Sequence, residues 1–408
     1  MTSGTAKVVS EPKLRNLLRR TAGRVSDGLW ATLGEVVLGA ASRRRLAASD
    51  DRDHAEILVL RNNDLGDLLV ITPLFEALRR LFPSAGLVAA VGSWARPILT
   101  NNPYVSEVLT ADAPWFNSHS SGRGGARAVR WLLGSAASRQ IRARRFGIGI
   151  DVLGSTWGAL LLVTAGVRER LGTRGFAGGA RGFTRSVAYD PAMHVGRAAL
   201  RFAELLGAID LPENRPQIFL APEERAAGEQ AWRDVPAFSA GKKLRVVIGP
   251  GAGVAARAWA VGSFRELVKL LAVDGRFAIA VVGGPGEKEI VTDVAGQQPA
   301  VWPFPGDLSL RQTFALVAAA DIVVCNSSML LHVAAAFRRP TVAVLGDSFQ
   351  SAAQHQRQWG YDETCWSLGR EASCNRGPAL PDEVAGFVTD LLPRLGLAPR
   401  DMARGSAT

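Results

Sequence analysis

Short, almost unbroken apolar runs recur along this chain. Between them lie stretches in which apolar residues return every three or four positions. Glu56–Arg61 (EILVLR) opens the series and predicts a strand. A helix is expected from Asp67 to Phe82, where Pro83 stops it. Leu87–Val91 and Phe146–Asp151 are the next strands, and an apolar segment follows at 157–167. A second series starts with a strand at Leu244–Ile248. The capping box Ser263-Phe264-Arg265-Glu266 then predicts a helix start. Phe277–Val282 is a strand, and Gly283–Glu287 a glycine turn into a helix. A second capping box stands at Ser309–Gln312. Ile322–Cys325, Met329–Phe337 and Thr341–Leu345 read as strand, helix and strand. Strands that alternate with helices are βαβ units, so both sheets are expected to be parallel, in two Rossmann-like domains of an α/β protein.

The remaining segments set the boundaries. Residues 1–10 read as disordered and 11–47 as helical, with Leu14, Leu17, Leu18 and Val25 set against Arg15, Arg19, Arg20 and Arg24. That helix either lies on an anionic membrane surface or packs on the protein with its arginines in water. The Gly/Ser/Arg-rich stretch 114–145 reads as a mobile insertion, and Gly172–Arg185 as a loop. The domains expected are a basic helical extension (1–54), an N-terminal half (55–215), a connection (216–243), a C-terminal half (244–395) and a tail (396–408).

Composition narrows the function classes. A length of 408 residues exceeds one ordinary core, and 47% hydrophobic residues suit a globular chain. Lys and Arg outnumber Asp and Glu by 48 to 37, a net charge of +11 that favours a polyanionic or phosphorylated partner. Nucleic acid is not expected, because no recognised module and no aromatic interleaving accompany the charge. Cys325, Cys365 and Cys374 are too few for a disulfide framework, and Cys365 and Cys374 lack zinc-ligand spacing. A cytoplasmic setting is expected. No apolar run approaches the roughly 18–20 residues of a membrane span.

Four loops carry candidate chemistry, each at the carboxyl end of a strand, where open α/β sheets place ligands. The first holds Arg61, Asn62, Asn63, Asp64, Gly66 and Asp67. Gly66 permits a tight turn there. Asp67 reads equally as a helix N-cap or as a general base. The second is Gly249–Ala256. Gly251, Gly253 and Ala256 match a dinucleotide fingerprint, but the next helix is delayed to Ser263 and no acid closes the next strand. A wide loop bringing backbone N–H groups of Gly251, Ala252 and Gly253, with Arg257, towards a diphosphate fits better. The third is Gly284 with Glu287, which either holds ribose hydroxyls or favours a helix start. The fourth is Ser327, Ser328 and Met329, with His332 one turn into the helix. It is read as an anion site or as ordinary structure.

These segments together resemble glycosyltransferase family 9, the ADP-heptose:lipopolysaccharide heptosyltransferases. The likeness runs over about residues 56–350, through Ile57–Arg61, Leu65-Gly66-Asp67, Thr72-Pro73-Leu74, Pro250–Gly253 with Arg257-Ala258-Trp259, Gly283–Glu287 and Asn326–His332. The resemblance implies a GT-B fold, two Rossmann-like domains with parallel sheets facing a cleft. It implies inverting transfer without metal or cofactor, from a nucleotide-sugar donor to a glycolipid or glycan acceptor. The first half would bind the acceptor and the second the donor. Asp67 matches the family's catalytic aspartate, Arg257 its phosphate-binding lysine, and Glu287 its nucleotide-contacting glutamate. Ser327, Ser328, Met329 and His332 match its Asp-Ser/Thr-Gly-x-x-His segment. Ser327 replaces the acid and Met329 the glycine, and Asn62 and Asn63 stand where small hydroxyl residues are common. These departures leave room for another nucleotide sugar. The basic extension adds peripheral contact with the inner face of the plasma membrane. Two rivals from other classes are an NAD-dependent oxidoreductase and a non-catalytic nucleotide-sugar-binding protein.

Overall fold

The computed structural model describes residues 34, 38, 39, 56–120, 124–234 and 243–397. The expected disordered start, most of the basic helix, part of the connection and almost all of the tail lie outside the described residues. Within the extension, Gly34, Leu38 and Gly39 are helical, and Leu38 is buried in a hydrophobic core.

Among the described residues, twelve strands form two six-stranded sheets. The first contains β1 (Glu56–Leu60), β2 (Leu87–Val91), β3 (Glu107–Thr110), β4 (Phe146–Asp151), β5 (Glu169–Arg174) and β6 (Arg185–Ala188), in the order β3-β2-β1-β4-β5-β6. The second contains β7 (Leu244–Gly249), β8 (Phe277–Gly283), β9 (Val301–Pro305), β10 (Ile322–Asn326), β11 (Thr341–Val344) and β12 (Cys365–Leu368), in the order β12-β11-β10-β7-β8-β9. Every pairing is parallel. Each sheet therefore has the doubly wound order 3-2-1-4-5-6, with its switch point between β1 and β4 or between β7 and β10. In the second sheet Ile248 pairs with Val324 and Gly249 with Cys325, so the loops after β7 and β10 leave side by side.

The central strands are apolar because both of their faces are covered. Val246, Ile248, Ile279, Val281, Val324 and Val344 share one core with Phe264, Leu267, Val268 and Leu271 of the helix Val261–Asp274. Those four helix positions fall on one stripe, and Gly275 ends the helix at φ 76°. The strands that periodicity did not predict are β3, β5, β6, β9 and β12. Four are sheet edges and β5 adjoins one, so their patterns are short and mixed. β9 even carries prolines, which an edge tolerates.

The described residues form two compact units. One takes in the described residues up to Asp64, Phe82–Ser93 and the described residues of 105–189, and contains the first sheet. The other takes in Leu65–Leu81, Trp94–Tyr104 and the described residues from Asp190 to 397, and contains the second sheet together with the helical segment that follows β1.

Four local expectations are corrected. The stretch 114–145 is not a mobile insertion. It holds the helices Gly125–Gly134 and Ala136–Ala143, which bury Ala128, Leu132 and Ile141 with Trp115 in the core. Arg127, Arg130 and Arg139 are exposed on these helices, so composition disguised an amphipathic pair. The loop Gly172–Arg185 holds the end of β5, a 3₁₀ turn at Gly179–Gly182 and the start of β6. The helix expected from Ser263 begins at Val261 with Ala260 as N-cap, so Ser263 lies inside the first turn. The helix expected over 67–82 is two helices, Leu65–Leu69 and Thr72–Leu81. Pro73 has no N–H for the Leu69 carbonyl, and the Thr72 hydroxyl donates to it instead at 2.8 Å. The capping box at Ser309 forms as expected, with Gln312 Oε1 accepting from Ser309 N at 2.8 Å.

Candidate active site

In the unit of the first sheet, the loop after β1 is stitched to residues 115–118. Asn63 Nδ2 donates to Phe116 O at 2.7 Å, and Asn62 Nδ2 reaches Trp115 O at 3.4 Å. Asp64 Oδ1 accepts from the N–H and the hydroxyl of Ser118, both at 2.8 Å. Asp64 is thus turned towards Ser118. Arg61 is buried beside Asp151, which is itself fully buried at the end of β4. Asp151 Oδ2 accepts from Ser155 N and Oγ at 2.8 and 2.9 Å. Burial pushes its pKa up, against those hydrogen bonds and the Arg61 charge. Sequence periodicity gave Asp151 no role; its position closing a buried central strand was the available signal.

Asp67 is the third residue of the helix Leu65–Leu69, in its first turn, and so is not the N-cap. Gly66 is inside that helix and has no left-handed φ, so the tight-turn reason for it is corrected. Its requirement is proximity: a Cβ there would lie 3.1 Å from His332 Cδ2 and 3.8 Å from Met329 Cα. The helix that carries Asp67 therefore rests on the start of the helix Met329–Ala336, within one compact unit.

The same unit gathers the other three loops. Asn326, wholly buried at the end of β10, donates from Nδ2 to Pro250 O at 2.6 Å and accepts at Oδ1 from Trp259 N at 2.8 Å. One amide thereby fixes both ends of the glycine loop. Trp259 is anchored further by Nε1, which donates to Ala379 O at 3.0 Å. Buried Trp259 holds the chain while Arg257, two residues earlier, stays exposed at the end of a 3₁₀ turn at Ala255–Arg257. Gly253 is exposed, and Gly251 and Ala252 are half-buried. The following helix starts only at Val261, so the glycine run does not open it, as the dinucleotide fingerprint requires. Glu287 Oε2 accepts from Gly284 N at 2.7 Å. A Cβ on Gly251 would lie 2.1 Å from Glu287 Oε1, so the second and third loops touch.

The fourth loop is wired differently from a simple anion cradle. Ser328 is the N-cap of the helix Met329–Ala336, yet its hydroxyl caps no N–H and instead meets the Cys325 thiol. Ser327 Oγ pairs with His355 Nε2 at 2.7 Å. His332 is buried, with Nδ1 2.7 Å from the Tyr361 hydroxyl. Burial holds His332 near a pKa of about 3, helped by the neighbouring imidazoles of His194 and His355. It is neutral and packed between Gly66 and Tyr361. Asn326 stood inside the fourth segment but was given no role, and His355, Tyr361 and His194 were absent from the residues proposed from sequence. The last three come from segments with no motif of their own.

Among the described residues, no group of three or more His, Cys, Asp or Glu side chains is placed to share a metal ion. No helix among them is long and apolar enough to cross a membrane.

Comparison with known proteins agrees with this architecture. Lipopolysaccharide heptosyltransferase 2 of Escherichia coli K12 is 27% identical over 303 residues, 72% of this chain and 83% of that protein. The structure of E. coli ADP-heptose lipopolysaccharide heptosyltransferase II superposes with a TM-score of 0.64 at 22% identity, covering 84% of this chain and 99% of that one. E. coli heptosyltransferase WaaC with ADP gives 0.60 at 18% identity, covering 83% and 98%. Both solved structures share the GT-B fold with this chain. The model of glycosyltransferase family 9 (heptosyltransferase) matches residues 135–378, which span the three loops of the second sheet and begin after Asp67. With more than half of its length matched, the chain belongs to glycosyltransferase family 9 and is a glycosyltransferase enzyme.

Proposed function

We propose that this enzyme moves a heptose or related sugar from a nucleoside-diphosphate sugar, ADP-heptose by preference, to a hydroxyl of a lipopolysaccharide-core or other envelope glycan. The relatives' names supply the sugar and the acceptor class. The donor would bind the C-terminal half (244–395) and the acceptor the N-terminal half (55–215). The observation that carries the reading is the packing of Gly66 on His332 and Met329. It sets the short helix of Asp67 against the helix that follows the fourth loop, on the donor side.

Asp67 is the base of this scheme. It takes the acceptor hydroxyl proton while that oxygen bonds to the anomeric carbon and the bond to the diphosphate breaks, with inversion. Negative charge grows on the departing diphosphate. Exposed Arg257 and the backbone N–H groups of Gly251–Gly253 are the groups proposed to stabilise it. The scheme needs no metal, since the sequence's only Asp-x-Asp, Asp51-Arg52-Asp53, precedes β1 rather than closing a strand. The enzyme works in the cytoplasm, where its positive charge favours contact with the anionic inner face of the membrane.

The test is Asp67→Ala. Turnover should fall roughly a hundred- to ten-thousand-fold, while donor affinity stays within about threefold. Turnover at the unmodified rate would remove Asp67 from the mechanism.

A further inference from the structure

A chain of hydrogen bonds behind the fourth loop has a fixed direction. It starts at Gln356, whose Nε2 donates to Cys365 O at 2.9 Å. Gln356 Oε1 accepts from the Ser367 N–H at 2.9 Å, and a backbone N–H can only donate. The amide orientation is therefore set. The Ser367 hydroxyl lies 2.9 Å from the same Oε1, so its single proton goes there. His355 Nδ1 is 2.8 Å from Ser367 Oγ, which has only lone pairs left to offer. Nδ1 thus carries the imidazole proton. Burial keeps the ring neutral, with a pKa near 4, so Nε2 is bare. Ser327 Oγ, 2.7 Å from Nε2, must give its proton to it.

Ser327 is thereby left with lone pairs alone. It is half-buried, next to Asn326, which ties down the glycine loop, and two residues before Met329, on which Gly66 rests. A phosphate oxygen offers no proton and cannot pair with it. A sugar hydroxyl can.

The geometry points to His355 as a positioning residue that turns the Ser327 hydroxyl into an acceptor for a hydroxyl of the transferred sugar. The assignment rests on the reading of Asp67 as base, because the anomeric carbon must sit near Asp67. Ser327 then does part of a carboxylate's work without its charge: it accepts a hydrogen bond, but adds no negative charge beside the diphosphate.

Two measurements on the full-length protein test this. Long-range proton–nitrogen NMR correlations should place the His355 proton on Nδ1; a proton on Nε2 overturns the polarity, whatever the donor. Calorimetric titration should show Ser327→Ala binding ADP within about twofold of the unmodified enzyme and ADP-heptose about three- to tenfold more weakly. His355→Leu, which keeps an apolar filling, should show the same split. The double variant should be no weaker than either single one, since both remove one contact. Equal weakening of ADP and ADP-heptose by Ser327→Ala would place Ser327 on the nucleotide and overturn the inference. So would additive losses in the double variant. Turnover of ADP-heptose with unchanged affinities in Ser327→Ala defeats this contact and leaves the donor reading standing. Absence of heptose transfer by the unmodified enzyme defeats the donor reading, and the NMR result still decides the polarity.

Discussion

Two glycines show how the same clash has different costs at different residues. A Cβ on Gly251 would meet the carboxylate tip of Glu287 at 2.1 Å, and one on Gly158 would meet Asp151 Oδ2 at 2.0 Å. Glu287 is only half-buried and can swing away, giving up its bond to Gly284 N. Asp151 is fully buried and bound to Ser155 by two hydrogen bonds, so it has nowhere to go. Gly251→Ala should therefore leave the melting temperature nearly unchanged while raising the donor KM several-fold. Gly158→Ala should lower stability by roughly 2–3 kcal/mol, a cost on the scale of overpacking and broken buried hydrogen bonds. Denaturant titration and donor-saturation kinetics on the two variants separate the cases. Neither consequence can be read from a glycine in a sequence, because both partners lie more than five residues away along the chain.

At the scale of elements, the second half depends on contacts between loops that leave adjacent strands. Asn326 is the link: its amide spans from the end of β10 to Pro250 and Trp259 on either side of the glycine loop. Asn326→Ala leaves one buried N–H and one buried carbonyl without this partner. A loss of about 1–3 kcal/mol is expected. Because the glycine loop is also released, donor affinity should fall in the same variant. Thermal unfolding at saturating ADP reads both effects, and an unchanged ADP-induced shift would show that the loop does not depend on the amide. The asparagine was legible as part of a motif. Its task was not, since what it binds is fixed by the parallel pairing of β7 with β10.

At the scale of the whole molecule, three buried histidines set an acid limit. Burial lowers His194 to about 4, His332 to about 3 and His355 to about 4, from the ordinary 6.5. Between about pH 6.5 and about pH 4 the unfolded chain binds these protons and the folded one does not. Stability is therefore complete above the ordinary histidine value and lost as pH falls through that window. Each fully expressed group costs about 1.4 kcal/mol for every tenfold by which folding weakens its hold on a proton. The unfolding midpoint should drop steeply from about pH 6.5 to about pH 4 and little above about pH 7. A flat profile across that range would show that these rings are protonated inside the folded protein.

Much of this protein is determined by its sequence alone. Apolar runs such as Leu87–Val91 and Phe146–Asp151 mark strands covered on both faces, and their alternation with amphipathic helices requires two parallel sheets. The loops that carry Asp67, Gly251, Glu287 and Ser327 follow from that pattern, because each closes a central strand. Edge strands such as β9 and β12 escaped it, since half-exposed positions need no apolar period. Polar partnerships escaped it entirely. That Asp67 follows the N-cap rather than serving as one was decided by a helix that starts already at Leu65, where Gly66 packs on His332 and Met329. That the Ser327 hydroxyl meets His355, whose other ring nitrogen is held by Ser367 and Gln356, was decided by residues 28 to 40 positions further on. Hydrophobic burial is written in local periodicity, whereas the direction of a hydrogen bond depends on which distant groups the fold brings within about 3 Å.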